Sequence, residues 1–255
     1  KFIVELKLLK SHCIEIVKWI YYNTDVISNA ASDYAAANGN LELVKWFHES
    51  AGIICTEAGA AFAAQSNYLE IIKYLHNNNN ICFSVHTMDC AVKSNNLDVL
   101  IWLHYNRTEG ATTLAMNYAA GNGNLEIVKW LHFNRKEGCT TAAMDCAAGN
   151  GHLEVVKWLS VNRLEGCTKS AINEAALDGH LDIVEYLHIN RGETPSRGIC
   201  DCLAELGHLE VLKYVYTNGL DDLTVDTMHC ATEAGHTHIV QWLNTISDTY
   251  SQDTR

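Results

Sequence analysis

A tryptophan or tyrosine returns every 28 residues along most of this chain, and that period limits the fold before anything else does. Trp46, Tyr74, Trp102, Trp130, Trp158, Tyr186, Tyr214 and Trp242 keep it without a slip. Leu41, Leu69, Leu97, Leu125, Leu153, Leu181 and Leu209 each stand five residues before the aromatic, with Thr237 in that place in the last repeat. Ser28, Thr56, Ser84, Thr112, Thr140, Thr168, Ser196 and Thr224 form a third column. Three columns in register mark an array of stacked supersecondary repeats rather than one irregular core.

The repeat that opens at Thr140 reads TTAAMDCAAGNGHLEVVKWLSVNRLEGC. Thr140 suits a helix N-cap, its hydroxyl taking an otherwise unpaired backbone N–H. The following TAAMDCAA forms a helix whose small side chains let a neighbour approach closely. GNGH breaks it, glycine supplying the freedom of a tight turn. LEVVKWLS starts a second helix, with Glu154 in its first turn and an apolar surface too wide for a helix lying on a protein's outside. NRLEGC connects to the next repeat. A single helix pair cannot cover its own apolar faces, whereas stacked pairs can.

The expected array spans 1–243, with repeats near 1–27, 28–55, 56–83, 84–111, 112–139, 140–167, 168–195, 196–223 and 224–243. Trp19, 27 residues before Trp46, belongs to the N-terminal repeat. Residues 244–255 form a polar tail that frays or makes a short cap. The structural repeat core is expected in the Leu and aromatic columns. The chain opens on Lys1 rather than Met, so a longer parent is expected.

AAGNGHLEVVKWL resembles the AAxxGHxxIVxxLL of ankyrin repeats, whose usual period is about 33. AAANGNLELVKWF, AAGNGNLEIVKWL, AALDGHLDIVEYL and LAELGHLEVLKYV carry the same likeness over nearly the whole chain. The Trp in the second helix and the LHxNRxEGCT-type linker are similar to degenerate ankyrin arrays common in protists and large DNA viruses. The resemblance implies an all-α, ankyrin-type helical repeat solenoid of about nine helix pairs, with shortened connecting loops where the family has β-hairpin fingers. It also implies a protein-binding module that needs no cofactor. The family's TPLH is absent. Its His position holds Asp33, Ala61, Asp89, Asn117, Asp145, Asn173, Asp201 and His229, so these Asp and Asn side chains are expected to tie neighbouring repeats together.

A net charge of −12 argues against nucleic acid and anionic membranes as ligands. No apolar run approaches the roughly 20 residues of a membrane span. Ten cysteines fall mostly at two phases. Cys90, Cys146, Cys202 and Cys230 exchange with Tyr34, Phe62 and Tyr118, and read as small buried hydrophobes. Cys55, Cys139 and Cys167 share the second phase. Free thiols point to a reducing, cytoplasmic setting.

The thirteen histidines form ladders rather than a cluster. His48, His76, His104, His132 and His188 end the second helix. His152, His180, His208 and His236 sit at the inter-helix turn, where Asn40, Asn96 and Asn124 replace them as hydrogen-bonding turn residues. Equivalent positions lie about one helix spacing apart, too far to share a metal ion. Cys200, Cys202 and His208 make the nearest ligand set, and it lacks zinc-site spacing. Arg107, Arg135, Arg163 and Arg191 are each followed two residues later by Glu109, Glu137, Glu165 and Glu193. Ion pairing between repeats is expected of them rather than a basic stripe.

No GxSxG, Walker, HExxH or GxGxxG element occurs, and no catalytic or metal-binding residue is assigned. Function is sought where the repeat varies on its solvent side. Glu57, Gln65, Lys93, Lys169, Asp178, Arg197 and Glu205 are the candidate partner-binding residues. The resemblance places such positions on a concave face that holds a partner protein. Two other functions remain open: the substrate-recruiting region of a larger adaptor or enzyme, and an enzyme or nucleotide-binding protein.

Overall fold

The structure, a computed structural model, describes residues 14–23, 28–78, 83–95 and 97–253. Much of the N-terminal repeat, the turn residue Asn96 and the end of the tail at 254–255 therefore lie outside the described residues. The described residues form two compact bodies: 14–119 with 126–138, and 120–125 with 139–253. Among them every regular element is a helix and there is no strand.

In the N-terminal body, α1 (Ile14–Asn23) precedes four helix pairs: α2 (Asn29–Ala37) with α3 (Leu41–Ser50), α4 (Glu57–Gln65) with α5 (Leu69–Asn77), α6 (Val85–Ala91) with α7 (Leu97–Asn106), and α8 (Thr113–Gly121) with α9 (Leu125–Asn134). The turn between α8 and α9 groups with the C-terminal body. That body holds α10 (Ala142–Gly149), α11 (Leu153–Asn162), α12 (Lys169–Leu177), α13 (Leu181–Arg191), α14 (Ile199–Leu206), α15 (Leu209–Thr217), α16 (Val225–Glu233) and α17 (Thr237–Asp253). First helices pack on first helices, α2 on α4 on α6 and α10 on α12 on α14 on α16. Second helices do likewise, α3 on α5 on α7 and α11 on α13 on α15.

Alanine makes the first layer possible. Ala35 and Ala36, Ala63 and Ala64, Ala147 and Ala148, and Ala175 and Ala176 are fully buried between neighbouring first helices. The second helices from α3 to α15 bury three residues each, such as Leu43, Val44 and Phe47 or Ile183, Val184 and Leu187. Leu41, Leu69, Leu97, Leu125, Leu153, Leu181 and Leu209 are half-buried instead, as are Trp46, Tyr74, Trp102, Trp130, Trp158, Tyr186, Tyr214 and Trp242. These columns flank the buried trio, and the aromatics meet the preceding second helix. Trp102 is edge-on to His76 with ring centres 5.2 Å apart.

The Ser/Thr column caps the first helices. Hydroxyls of Thr56, Ser84, Thr112, Thr140, Thr168 and Thr224 accept the N–H two residues on, at 3.0–3.3 Å. Ser28 makes no such bond. Ser196 does not cap either, because α14 begins later, at Ile199, with Gly198 at its N-cap. The carboxylate of Asp221, from the connector after α15, accepts the Cys200 N–H there at 3.1 Å.

The Asp column ties repeats together. Asp33 accepts both the backbone N–H and the hydroxyl of Thr56, each at 2.7 Å, and Asp89 does so with Thr112 at 2.8 and 2.7 Å. Asp145 holds Thr168 in the same way at 2.8 and 3.0 Å. Asn173 takes the N–H of Ser196 on its carbonyl at 2.8 Å and donates its amide to the hydroxyl at 2.9 Å. Asp201 reaches the hydroxyls of Thr224 and Thr227. Ala61 cannot contribute, and Ser84 donates to Glu57 instead.

The inter-helix turn has a second constraint besides its left-handed backbone. A Cβ on Gly151 (φ +79) would stand 2.6 Å from the ring of His180, one repeat on, and one on Gly179 would meet His208 at 2.8 Å. The turn histidines are thus packing residues, each lying against the previous repeat's glycine. His152, His180 and His208 make no side-chain cap bond, whereas Asn40 accepts the Leu43 N–H at 3.0 Å.

The last second helix does not stop at Leu243. α17 continues to Asp253, through the segment expected as a loose or short-capped tail. No Gly or Pro occurs between Leu243 and Asp253 to end it.

Candidate partner-binding face

The first helix of each repeat shows its remaining side to solvent, and the varying residues lie there. In the N-terminal body, Glu57 opens α4, Gln65 closes it, and Lys93 sits in the 3-10 turn at Val92–Ser94 that prolongs α6. In the C-terminal body, Lys169 opens α12, Asp178 is its C-cap, Arg197 precedes α14, and Glu205 lies near its end. All seven are exposed. Two of them are engaged within the molecule. Glu57 accepts from Ser84, and the Lys93 ammonium stands 4.4 Å from the centre of the Tyr118 ring.

One column was misassigned by its composition. Cys90, Cys146, Cys202 and Cys230, with Tyr34, Phe62 and Tyr118, are not buried. Cys146 and Cys202 are exposed, Cys90 and Cys230 are half-buried, and Phe62 keeps 47% of its surface open. They occupy the middle of the first helix on its solvent side, between residues such as Glu57 and Gln65. Glu174 holds the same phase and was the available signal, since a core column does not accept an unpaired carboxylate. Cys55 and Cys139 are buried, and burial pushes the Cys55 thiol up to about 12.

The Arg/Glu connectors also depart from expectation. The ion pairs form inside one connector, not between repeats: Arg107 with Glu109, Arg135 with Glu137, Arg163 with Glu165. A two-residue spacing across the bend brings both ends of the guanidinium onto both carboxylate oxygens, with Nε–Oε2 distances of 3.1, 3.2 and 3.1 Å. The link to the preceding repeat is made by hydrogen bonds instead. Glu137 accepts the Ala111 N–H at 3.1 Å. Arg107 Nη1 lies 3.2 Å from His76 Nδ1, and Arg135 Nη1 lies 3.3 Å from His104 Nδ1. Burial pushes the Glu137 carboxyl upward, but the Arg135 hydrogen bond and the Ala111 N–H outweigh it and bring it to about 2. Arg163 chiefly brings Glu165 to about 2 as well. Arg191 differs, with Nε 3.9 Å from Glu193 and Nη1 donating to Ser160 Oγ at 3.1 Å.

Among the described residues no three His, Cys, Asp or Glu side chains gather as a metal-ligand set. Cys200 is buried, Cys202 is exposed, and His208 lies on Gly179. Among the described residues, too, no helix is long and apolar enough to cross a membrane. The C-terminal body carries an open groove of about 500 Å³, lined chiefly by Tyr216, Leu223, Met228, Leu243 and Ile246.

Helix pairs stacked in register, joined by short connectors and clamped through a polar residue near the middle of most first helices, define a helical-repeat protein. The family comparison makes this specific. Residues 116–197 match the family described as ankyrin repeats (3 copies), and residues 88–132 match ankyrin repeats (many copies). Together the two matches run from 88 to 197, and ankyrin repeats generally work in protein–protein interaction. A search of curated proteins returns no match.

Proposed function

We propose that this chain is a non-catalytic, cytoplasmic scaffold that binds a partner protein on the solvent side of its first helices. The observation that carries the reading is the contrast between layers. On the second helices, most lysines are paired with a glutamate three residues before them, as in Lys73–Glu70 at 2.7 Å and Lys157–Glu154 at 2.9 Å, while Lys45 lies over the Tyr74 ring. The first-helix side leaves Gln65, Lys169, Asp178, Arg197 and Glu205 exposed beside half-open aromatic rings and thiols. Mixed charge set among apolar groups suits recognition by charge pattern, with association slowed by salt.

The test is affinity capture by the tagged chain, followed by mass spectrometry, with variants run in parallel. Alanine at Glu57, Gln65 and Lys93, or at Lys169, Asp178, Arg197 and Glu205, should weaken capture while the melting temperature moves by no more than a few degrees. Full retention of the partner by both variants would place binding elsewhere.

A further inference from the structure

We infer that the second-helix ends of the N-terminal body form a proton-sensitive clasp, in which neutral His76 and His104 each hold the arginine of the next repeat's connector. The chemistry of the contact fixes the protonation state. A guanidinium has donors and no acceptor, so the imidazole nitrogen facing it must accept. Nδ1 faces Arg107 Nη1 at 3.2 Å in His76 and Arg135 Nη1 at 3.3 Å in His104. Both rings must therefore be neutral, with their proton on Nε2.

Neither partner is free to turn away. The two imidazoles stand edge-on to Trp102 and Trp130, ring centres 5.2 Å apart in each case. The guanidiniums are gripped by Glu109 and Glu137, and that of Arg107 also stacks 4.5 Å over Phe83. The charged groups facing His76 are Arg107 and, behind it, Glu109. Those facing His104 are Arg135 and, behind it, Glu137, with the Tyr105 ring on its own helix. From α3, His48 and Glu49 are engaged with the Tyr74 hydroxyl. A second proton on either ring removes the acceptor and sets two cations about 3 Å apart. Protonation of the ring therefore opens the clasp, and the connectors at 107–111 and 135–138 loosen.

The molecule contains its own controls. At Arg191 the histidine place is taken by Ser160, whose hydroxyl accepts at any pH. His48 and His188 face tyrosine hydroxyls at 3.0 and 2.9 Å, not arginines.

Amide hydrogen exchange of the whole chain, corrected for intrinsic rates, tests the clasp. Between pH 7.5 and 5.5, protection at 105–111 and 133–138 should fall about tenfold, while 189–193 holds. In His76→Ser/His104→Ser the two ranges should lose this pH dependence, and in His188→Ser they should keep it. Coincident profiles for the wild type and the double variant would overturn the clasp. So would ring-carbon NMR shifts at pH 7.5 showing the proton on Nδ1 in both histidines, a readout that does not depend on any variant folding.

Discussion

The two bodies repeat one 28-residue plan and finish it differently at three places. At the turn, the N-terminal body sets Gly39, Asn67 and Asn95 in the left-handed conformation, φ 77, 58 and 56, where the C-terminal body keeps glycine, as at Gly151, Gly179 and Gly207. On the first-helix face, the N-terminal body shows Tyr34, Phe62, Cys90 and Tyr118, and the C-terminal body shows Cys146, Glu174, Cys202 and Cys230. At the connector, His76 and His104 meet arginines in one body, and Ser160 does so in the other. The pattern of change separates two kinds of position. Gly39 lies under the ring of Tyr68, Gly151 under His180 and Gly179 under His208, each 29 residues further on, whereas Asn95 stands 29 residues before Asn124. A ring needs bare glycine beneath it, so those positions change in pairs. The face residues follow no such rule and pass from tyrosine to cysteine to glutamate, even where Lys93 of one repeat reaches the Tyr118 ring of the next.

The comparison is broken most forcefully in the core. Leu103 is enclosed in the N-terminal body at 2% exposure, whereas Leu243, at 6%, borders the open groove of the C-terminal body. Leu103→Ala should cost about 3 kcal/mol, the usual cost of a buried cavity. Leu243→Ala should cost about half as much, since an open site relaxes around the missing atoms. Urea unfolding midpoints measure both, and equal losses would show that the groove wall is as tightly enclosed as the interior.

Next in size is the turn. Gly151→Ala forces a left-handed backbone on a residue with a Cβ and drives that Cβ into His180, costing about 2–3 kcal/mol. Gly151→Ala combined with His180→Asn should recover the clash but not the backbone strain, about half of the loss. Asn95→Gly should be nearly neutral. No recovery in the double variant would mean that His180 does not depend on the bare glycine.

The period, the helix pairs, the turns and the capping hydroxyls were legible in the sequence because each is a local rule repeated many times. The Asp–Thr clamp was legible too, as a polar residue standing where the family keeps its histidine. The connectors were half-legible. The Arg and Glu columns announce an ion pair, but whether it closes within a connector or between repeats depends on a bend no spacing reveals. The cysteine column misled because cysteine, tyrosine and phenylalanine are core residues on average, and which side of a thin helix they face is set by the neighbour it packs on. Of the candidate face, exposure of the seven varying residues is visible in the structure. The aromatic and thiol stripe between them was hidden by the same composition.

Acid separates the bodies by pH. Glu137 in one body and Glu165 in the other both sit at about 2 against an ordinary 4.5. A depressed folded value means stabilisation that is complete above 4.5 and is lost as pH falls toward 2, on the order of 2 kcal/mol for each pair. Glu137→Gln and Glu165→Gln should each flatten the stability profile over this window, and by similar amounts. The clasp at His76 and His104, in the N-terminal body, rests on imidazoles rather than carboxylates and so acts at higher pH. Thermal melts from pH 7.5 to 2.5 would therefore show an early loss from the clasp and a later one from both ion pairs. A loss confined to Glu137→Gln would contradict the equivalence of the two pairs.

The smallest effects are expected at the clamp, where the bodies differ by the gap at Ala61. Asp145→Asn should cost under about 1 kcal/mol, because Asn173 already shows that an amide serves both the N–H and the hydroxyl of Ser196. Asp145→Ala should cost about 1–2 kcal/mol, leaving the Thr168 N–H and hydroxyl without their acceptor. Ala61→Asp offers the missing clamp to Ser84 but brings a second carboxylate toward Glu57, which holds that hydroxyl now. Repulsion between the two offsets the new bonds, so the single change should be neutral within about 0.5 kcal/mol. With Glu57→Gln added, the repulsion is gone and a gain of about 1 kcal/mol is expected. A stabilisation from Ala61→Asp alone would mean that Glu57 turns aside freely. A loss in the double variant would mean that the α4–α6 contact is too tight to admit the carboxylate at all.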